Sequence, residues 1–278
     1  MKHSTPFWAG LALCVALGTS AVAGPLKVGV TPGALADSAE IAAKEARAQG
    51  LDVKVVEFTE WTTPNTALAS GDLDLNYFQH QAFMDNANKQ AGFKLGSIGV
   101  GLQGGFGIFS RKFKTLAELP HGARVAIAND PSNQARALSA LQEAGLIKLK
   151  PDAPQLASLR YVGDNPKGLK FIEIQGPQLA RSLDDVDAVL TAPGNFVTAG
   201  QPDVAKSALF YTRRESPYWA IQFVTRADNA TDPRIAKFIS IYQGSEAVRR
   251  QIHTSNASDT RFYSLAWLKS QTAAGVSK

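Results

Sequence analysis

The sequence has almost no cysteine and no long hydrophobic run, and both absences limit what the protein can be. Of its 278 residues only Cys14 is a cysteine. One cysteine cannot form an intramolecular disulfide, so a disulfide framework is excluded. No stretch reaches the roughly 18 consecutive apolar residues that a membrane-spanning helix needs. With 45% hydrophobic residues, the chain is predicted to fold around an ordinary hydrophobic core.

Clustered positive charge is also missing. Lys and Arg number 29 against 24 Asp and Glu, which gives a net charge of +5. The nearest thing to a basic cluster, Arg213-Arg214, is followed at once by Glu215. Since nucleic-acid-binding surfaces need a dense basic patch, the sequence predicts no nucleic-acid partner.

The motifs of common metal and catalytic sites are absent as well. The four histidines do not form a His-Glu-x-x-His motif, and no Gly-x-Ser-x-Gly occurs. The glycine-rich segment 101–107 lacks the Gly-Lys-Ser/Thr that completes a phosphate-binding loop. We therefore expect no metal, no cofactor and no catalytic residue, and a protein that is not an enzyme.

The N-terminal segment has the pattern of an export signal. An apolar run over 8–18 follows Lys2, and Ala21-Val22-Ala23 provides a small-x-small cleavage site. The pattern predicts a signal peptide over 1–23, cleavage between Ala23 and Gly24, and a periplasmic protein.

Cys14 raises the alternative of a lipid anchor. Bacterial lipoprotein signals end in Leu-x-small-Cys, but Leu13 occupies the position where a small residue belongs. The sequence thus favours a cleaved, unanchored chain over lipidation at Cys14.

Apolar strand patterns alternate with helical patterns along the rest of the chain, which predicts an α/β fold with parallel sheets. The first unit has predicted strands at 26–30, 53–58 and 73–77 and helices at 38–49 and 64–70. The second has helical segments at 116–119, 134–144 and 176–183 and strands at 124–127, 170–174 and 186–191. A strand at 219–226, a helix at 233–242, helical segments within 246–269 and a loose tail at 270–278 complete the prediction.

One candidate binding segment is Asn129-Asp130-Pro131-Ser132-Asn133, directly after the strand at 124–127. Asn129 or Asp130 can cap a helix, and Pro131 suits its first turn. The helix N-terminus and Arg136 together make a receptor for a carboxylate or another small anion. The alternative is an ordinary surface arginine on a well-capped helix.

A second candidate is aromatic and comprises Trp61, Phe78, His80 and Phe83, just past the ends of two predicted strands. Such a set can hold an apolar or thioether group, since sulfur packs well against rings; core packing is the alternative. In the third candidate, Pro193-Gly194-Asn195, Asn195 could contact a ligand, but the segment alone favours a simple turn.

Several extended motifs resemble those of the NlpA/MetQ family, the substrate-binding components of methionine-uptake ABC importers. The motifs are Pro64-Asn65-Thr66-Ala67-Leu68-Ala69-Ser70-Gly71-Asp72-Leu73-Asp74, Asn76-Tyr77-Phe78-Gln79-His80-Gln81, Ala128-Asn129-Asp130-Pro131-Ser132-Asn133 and Gln178-Leu179-Ala180-Arg181-Ser182-Leu183-Asp184-Asp185.

The resemblance implies an α/β protein of two lobes, similar to type II periplasmic binding proteins. Its ligand would lie in the interlobe cleft, and two crossover connections would join the lobes. Residues 24–112 with 222–278 would form the first lobe and 113–221 the second. It also implies a monomer that carries a methionine-like ligand to a membrane ABC permease.

By position, the resemblance places the methionine side chain against Trp61, Phe78, His80 and Phe83, and the ligand carboxylate on Arg136. Three positions depart from the family's pattern: Pro193 and Ala220 stand where the family has asparagines that bind the amino-acid backbone, and Gly104 stands where it has an aromatic residue or histidine. Asn195 lies close enough to Pro193 in sequence to replace one asparagine.

These departures leave alternatives open. One is a binder of another amino acid, a short peptide or an organic acid that lacks the ammonium group. Others are a periplasmic enzyme on the same scaffold, with His80 as base, and a surface adhesin.

Overall fold

The computed structural model describes residues 24–212 and 217–268. The predicted signal peptide with Cys14, and the predicted tail, lie outside the described residues. The strands are β1 (Leu26–Val30), β2 (Val53–Glu57), β3 (Leu75–Tyr77), β4 (Leu95–Val100), β5 (Leu102–Gly104), β6 (Gly107–Phe109), β7 (Arg124–Ala128), β8 (Lys148–Leu149), β9 (Val162–Asp164), β10 (Lys170–Ile174), β11 (Ala188–Thr191), β12 (Phe210–Tyr211), β13 (Gln222–Arg226) and β14 (Tyr263–Leu265).

The α-helices are α1 (Ala34–Ala48), α2 (Thr63–Ser70), α3 (Gln81–Ala91), α4 (Pro131–Glu143), α5 (Pro193–Thr198), α6 (Pro202–Lys206), α7 (Pro233–Gly244) and α8 (Glu246–Ser255). Short 3₁₀ turns occur at Leu159–Tyr161, Gly176–Gln178, Arg181–Asp184 and Pro217–Trp219. No helix among the described residues is long and apolar enough to cross a membrane.

The first lobe is built on a five-stranded sheet in the order β2-β1-β3-β13-β4. β1 pairs in parallel with β2 and β3, whereas β13 runs antiparallel to β3 and β4. Helices α1, α7 and α8 pack on this sheet. The sheet-facing side of α1 is almost all alanine, which allows the helix to approach the strands closely.

The second lobe has its own five-stranded sheet, in the order β10-β7-β11-β6-β12. β7 pairs in parallel with β10 and β11, and β6 runs antiparallel to β11 and β12. One face buries the apolar side of α4, and the other packs against α5 and the segment that holds the 3₁₀ turns at Gly176–Gln178 and Arg181–Asp184. Each lobe therefore has its own core, so the two can move as separate bodies.

Within the described residues the chain moves to the second lobe between β5 and β6 and is back in the first lobe by β13. After α8, Ala257 and Phe262 also pack in the core of the second lobe. β5 pairs with β14 beside the first crossover, so the C-terminal part of the described chain returns to this junction. The second sheet includes β6, a strand that the predicted boundary after residue 112 assigns to the first lobe.

Two predicted helices are wrong. The segment 116–119 forms a turn, because Pro120 disfavours helical geometry at the residue before it. The segment 176–183 forms two separate 3₁₀ turns instead of one helix.

Two further predictions toward the C-terminus need correction. The segment 246–269 is helical in α8 and again at 266–268, but not between them, because Ala257 and Ser258 both take a left-handed backbone with φ of 54° and β14 follows. The turn favoured for Pro193-Gly194-Asn195 is instead the start of α5, with Pro193 in the first turn.

Candidate functional site

A cavity of about 640 Å³ lies between the lobes. Its walls come from the loops that follow β1, β2 and β3 in one lobe and β7, β10 and β11 in the other. All six are parallel strands, and each contributes its carboxyl end. Ligands of open α/β sheets bind at this edge, because the loops and helix N-termini there point away from the packed core.

All six residues that the sequence predicts as ligand contacts line this cavity. They are Trp61, Phe78, His80, Phe83, Arg136 and Asn195. The first four come from the first lobe and the last two from the second, so the cavity has an aromatic side and a cationic side that face each other.

Arg136 provides the positive charge. It lies on α4 with one terminal nitrogen donating a 3.0 Å hydrogen bond to the carbonyl of Gly104. Its Cζ atom lies 4.6 Å from the ring centroid of Phe106 and 5.2 Å from that of Trp219. Burial lowers the pKa of Arg136 to about 10. The guanidinium remains charged at neutral pH.

No acidic side chain in the described part of the chain forms an ion pair with Arg136. The ion pairs among residues 24–212 and 217–268 all involve other arginines and lysines. The one acidic side chain among the described residues that line the cavity is Glu60, which is exposed. A partly buried cation held by rings and one carbonyl is therefore available to a ligand anion.

His80 connects the two lobes through its imidazole ring. Its Nδ1 accepts a 3.2 Å hydrogen bond from the backbone N–H of Phe83, which caps α3. The ring proton is then on Nε2, which donates to Oδ1 of Asn133 over 3.2 Å. Burial, and then the charge of Arg136, lower the pKa of His80 to about 4. The imidazole is therefore neutral, with both nitrogens occupied.

The aromatic side is ordered by edge-to-face contacts. The rings of Phe78 and Phe83 meet at 78° with centroids 5.7 Å apart, and those of His80 and Trp219 at 85° with centroids 4.9 Å apart. These geometries are favourable because the positive edge of one ring faces the negative face of the other. The result is a rigid apolar wall.

Asn195 faces the cavity from α5. Its amide nitrogen donates a 2.7 Å hydrogen bond to the hydroxyl of Thr191, and its Oδ1 accepts none within the described part of the chain. Pro193 and Ala220 are buried and present no polar side chain. A Cβ atom on Gly104 would lie in ordinary contact with Ala192, at 3.9 Å.

Phe106, Asn133, Trp219 and Asn256 are among the cavity residues that sequence reasoning missed. Asn133 was visible in the helix-start motif but was not assigned a contact. Trp219 follows the Ser216-Pro217-Tyr218 sequence and could have been suspected from its aromatic type. Asn256 is almost fully buried, with its amide nitrogen bonded to the carbonyl of Ile252 over 2.8 Å.

Behind the aromatic wall, three motif residues form a buried amide network. Asn65 donates to Gln79 over 2.8 Å, Asn76 donates to Asn65 over 2.9 Å, and Gln79 donates to Asn76 over 3.1 Å. Because Gln79 is fixed by these bonds, the network holds the neighbouring residues Phe78 and His80 in place. Among the described residues, no group of His, Cys, Asp and Glu side chains could hold a metal ion.

Comparison with known proteins gives a consistent result. A family model described as NlpA lipoprotein matches residues 26–262. The D-methionine-binding lipoprotein MetQ of Yersinia pestis is 43% identical over 224 residues, 80% of this chain and 82% of that protein.

Two solved structures have the same fold. A nutrient-binding protein from Burkholderia cenocepacia, bound to methionine, is 40% identical with a TM-score of 0.77 and covers 82% of this chain and 95% of its own. The substrate-binding protein of a methionine transporter from Streptococcus pneumoniae is 31% identical with a TM-score of 0.79, and the match covers 87% of this chain and 96% of that protein. With the family model matching most of the sequence, the chain belongs to the NlpA lipoprotein family.

Proposed function

We propose that the protein is the periplasmic substrate-binding component of an ABC importer and that it binds methionine or a related small carboxylate. The observation that carries this proposal is the guanidinium of Arg136, which lies in the interlobe cavity and has no acidic partner among residues 24–212 and 217–268. A ligand carboxylate would neutralise it, and the rings of Phe78, Phe83 and Trp61 would cover an apolar end.

The relatives support this assignment. Two are named for binding methionine or D-methionine, and one is described as part of a methionine transporter. The protein would act as a monomer and release its ligand to a membrane permease. Because both His80 nitrogens are already hydrogen-bonded, its imidazole is a poor general base, which favours carriage of a ligand over its chemical conversion.

A second candidate ligand is an organic acid without an ammonium group. It is favoured by the apolar side chains of Pro193 and Ala220. Glu60, the acidic side chain among the described cavity residues, is exposed, so no buried carboxylate in that part of the chain is available to an ammonium. Burying an unpaired ammonium costs several kcal/mol, so a des-amino acid would avoid that cost.

The decisive experiment is native mass spectrometry of freshly purified protein with identification of any retained small molecule. Calorimetric titration with L-methionine, D-methionine and 4-(methylsulfanyl)butanoate, the des-amino analogue, then ranks the candidates. Preference for either methionine supports the first assignment, and preference for the analogue supports the second. Binding of none of them, with no acid retained, contradicts both.

The mode of export needs its own test. The relative from Yersinia pestis is named a lipoprotein, so the comparisons give no support to the expectation that Cys14 is not lipidated. Intact-mass measurement of the exported protein decides the matter: an acyl-modified Cys14 identifies a membrane-anchored receptor, and an N-terminus at Gly24 identifies a free one.

A further inference from the structure

A contact between the lobes lies at one end of the cavity, where Trp61 meets Gly176. Trp61 is on the loop after β2, an edge strand of the first sheet, and Gly176 follows β10, an edge strand of the second. A methyl group built on Gly176 would lie 2.5 Å from both Cε3 and Cη2 of Trp61. This is well inside van der Waals contact, so the indole ring rests directly on the glycine backbone.

Gly176 is needed here for space and not for its backbone conformation. It is not among the glycines with positive φ, so alanine can adopt the same backbone. Gly176 is buried and is not part of the cavity lining, whereas Trp61 is. A methyl group added at Gly176 would therefore contact Trp61 and not the ligand itself.

A second contact of the same kind supports a role in closure. Gly33, after β1, lies against the side chain of Thr198 on α5, with no room for a Cβ atom between them. At two points, then, a side chain of one lobe fits against a glycine of the other. Gly33 also has a φ of 88°, so alanine there would strain the backbone as well, and Gly176 is the cleaner position to test.

We propose that Gly176 is a positioning residue for ligand recognition: its bare backbone is the surface on which Trp61 closes. The contact fixes the indole at the apolar end of the cavity and lets the lobes reach their ligand-bound separation. This inference rests on the proposed function of the cavity as a ligand site.

The test compares Gly176→Ala with Gly244→Ala, where an added methyl has no atom within 4 Å and the backbone φ is also not positive. Because the methyl at Gly176 forces the indole away, we expect a loss of L-methionine affinity of about tenfold by calorimetry. Gly244→Ala should stay within about twofold of the wild type, the usual range for a surface change. Thermal midpoints of the ligand-free proteins show whether either variant is merely unstable.

A double-mutant cycle separates positioning from a general structural effect. If Gly176 acts through the indole, adding Gly176→Ala to Trp61→Ala should change affinity by less than about twofold. The proposal would be overturned if Gly176→Ala alone left the affinity unchanged. It would also be overturned if Gly176→Ala reduced the affinity by the same factor in the wild type and in Trp61→Ala.

A second readout needs no ligand and covers the case in which methionine does not bind or Trp61→Ala binds too weakly to measure. Hydroxyl-radical footprinting, read by mass spectrometry at Trp61, should show at least about twofold faster oxidation in Gly176→Ala than in the wild type, since exposure of the ring controls its reactivity. Equal oxidation refutes the positioning role. Failure of every proposed ligand to bind, together with faster oxidation, refutes the proposed function and leaves the contact supported.

Discussion

Nε2 of His80 lies 3.2 Å from Oδ1 of Asn133, and this hydrogen bond joins the two lobes inside the cavity. The same imidazole caps α3 through Nδ1, and the same asparagine donates to the helix-capping Asp130 over 3.0 Å. A chain of polar contacts therefore runs from the cap of one helix to the cap of another, across the interlobe boundary and beside Arg136.

The first prediction concerns Arg136→Ala. Arg136 is the partly buried arginine among the described cavity residues, whereas Arg181 is exposed. Loss of the Arg136 guanidinium should therefore remove about 1.5–3 kcal/mol, roughly tenfold to 150-fold in affinity. Calorimetry with the identified ligand measures this. Arg160→Ala, at an exposed arginine away from the cavity, is the matched control and should bind normally. An affinity within about threefold of the wild type would contradict a charge-assisted contact of this size.

The second prediction is a pH dependence of stability from His80. Its pKa in the folded protein is about 4, below the ordinary value near 6.5, so the unfolded chain binds the proton more tightly. The stabilisation is complete above pH 6.5 and is lost as the pH falls toward 4, by about 3 kcal/mol in all. Urea unfolding at pH 7, 6 and 5 should show this decline.

His80→Gln should have a flatter profile over the same pH range, since glutamine does not titrate. His121→Gln, at an exposed histidine, should retain the wild-type slope. Parallel curves for wild type and His80→Gln would mean that His80 does not titrate below its ordinary range.

The third prediction concerns the apolar end of the ligand. Trp61→Ala should weaken L-methionine binding more than L-alanine binding, because each methylene left uncovered costs about 0.8 kcal/mol. Competition titrations with both amino acids give the ratio of their affinities, which should fall by at least about fivefold. A uniform loss for both ligands would instead place Trp61 away from the ligand's side chain.

The fourth prediction concerns the amide network behind the wall. Asn65→Ala removes the partner of the Asn76 amide nitrogen and of the Gln79 amide oxygen, each at a cost of about 1–3 kcal/mol. The free energy of unfolding in urea should fall by at least about 2 kcal/mol. Gln90→Ala, at an exposed position of α3, is the control and should change it by less than about 0.5 kcal/mol.

The sequence predicted the regular elements best where local signals agree. The strands at 26–30 and 170–174 match residue for residue, since short apolar β-type runs end at turn residues. Helix α3 was missed because its cap is His80, a residue type outside the usual helix-capping set. Helix α5 was missed because Pro193-Gly194 resembles a turn.

Part of the site was predictable because its residues follow strand ends in the sequence. Arg136 and the aromatic residues follow strand ends, and a parallel sheet brings such ends to one edge. The contacts of Trp61 with Gly176 and of His80 with Asn133 join residues far apart in the chain, and no local pattern encodes them. They depend on how the two lobes meet, which only the three-dimensional structure reveals.

Three residues at the start of α4 lie three positions apart and have different roles. Asp130 caps the helix, Asn133 accepts a hydrogen bond from the opposite lobe, and Arg136 places a positive charge in the cavity. Residues three apart lie on neighbouring positions of one helical side. Single substitutions can therefore affect these tasks one at a time. An insertion or deletion of one residue in this stretch would turn these side chains by about 100° around the helix axis, so that all three contacts are lost together. Selection should therefore act more strongly against such an insertion or deletion than against any single substitution here.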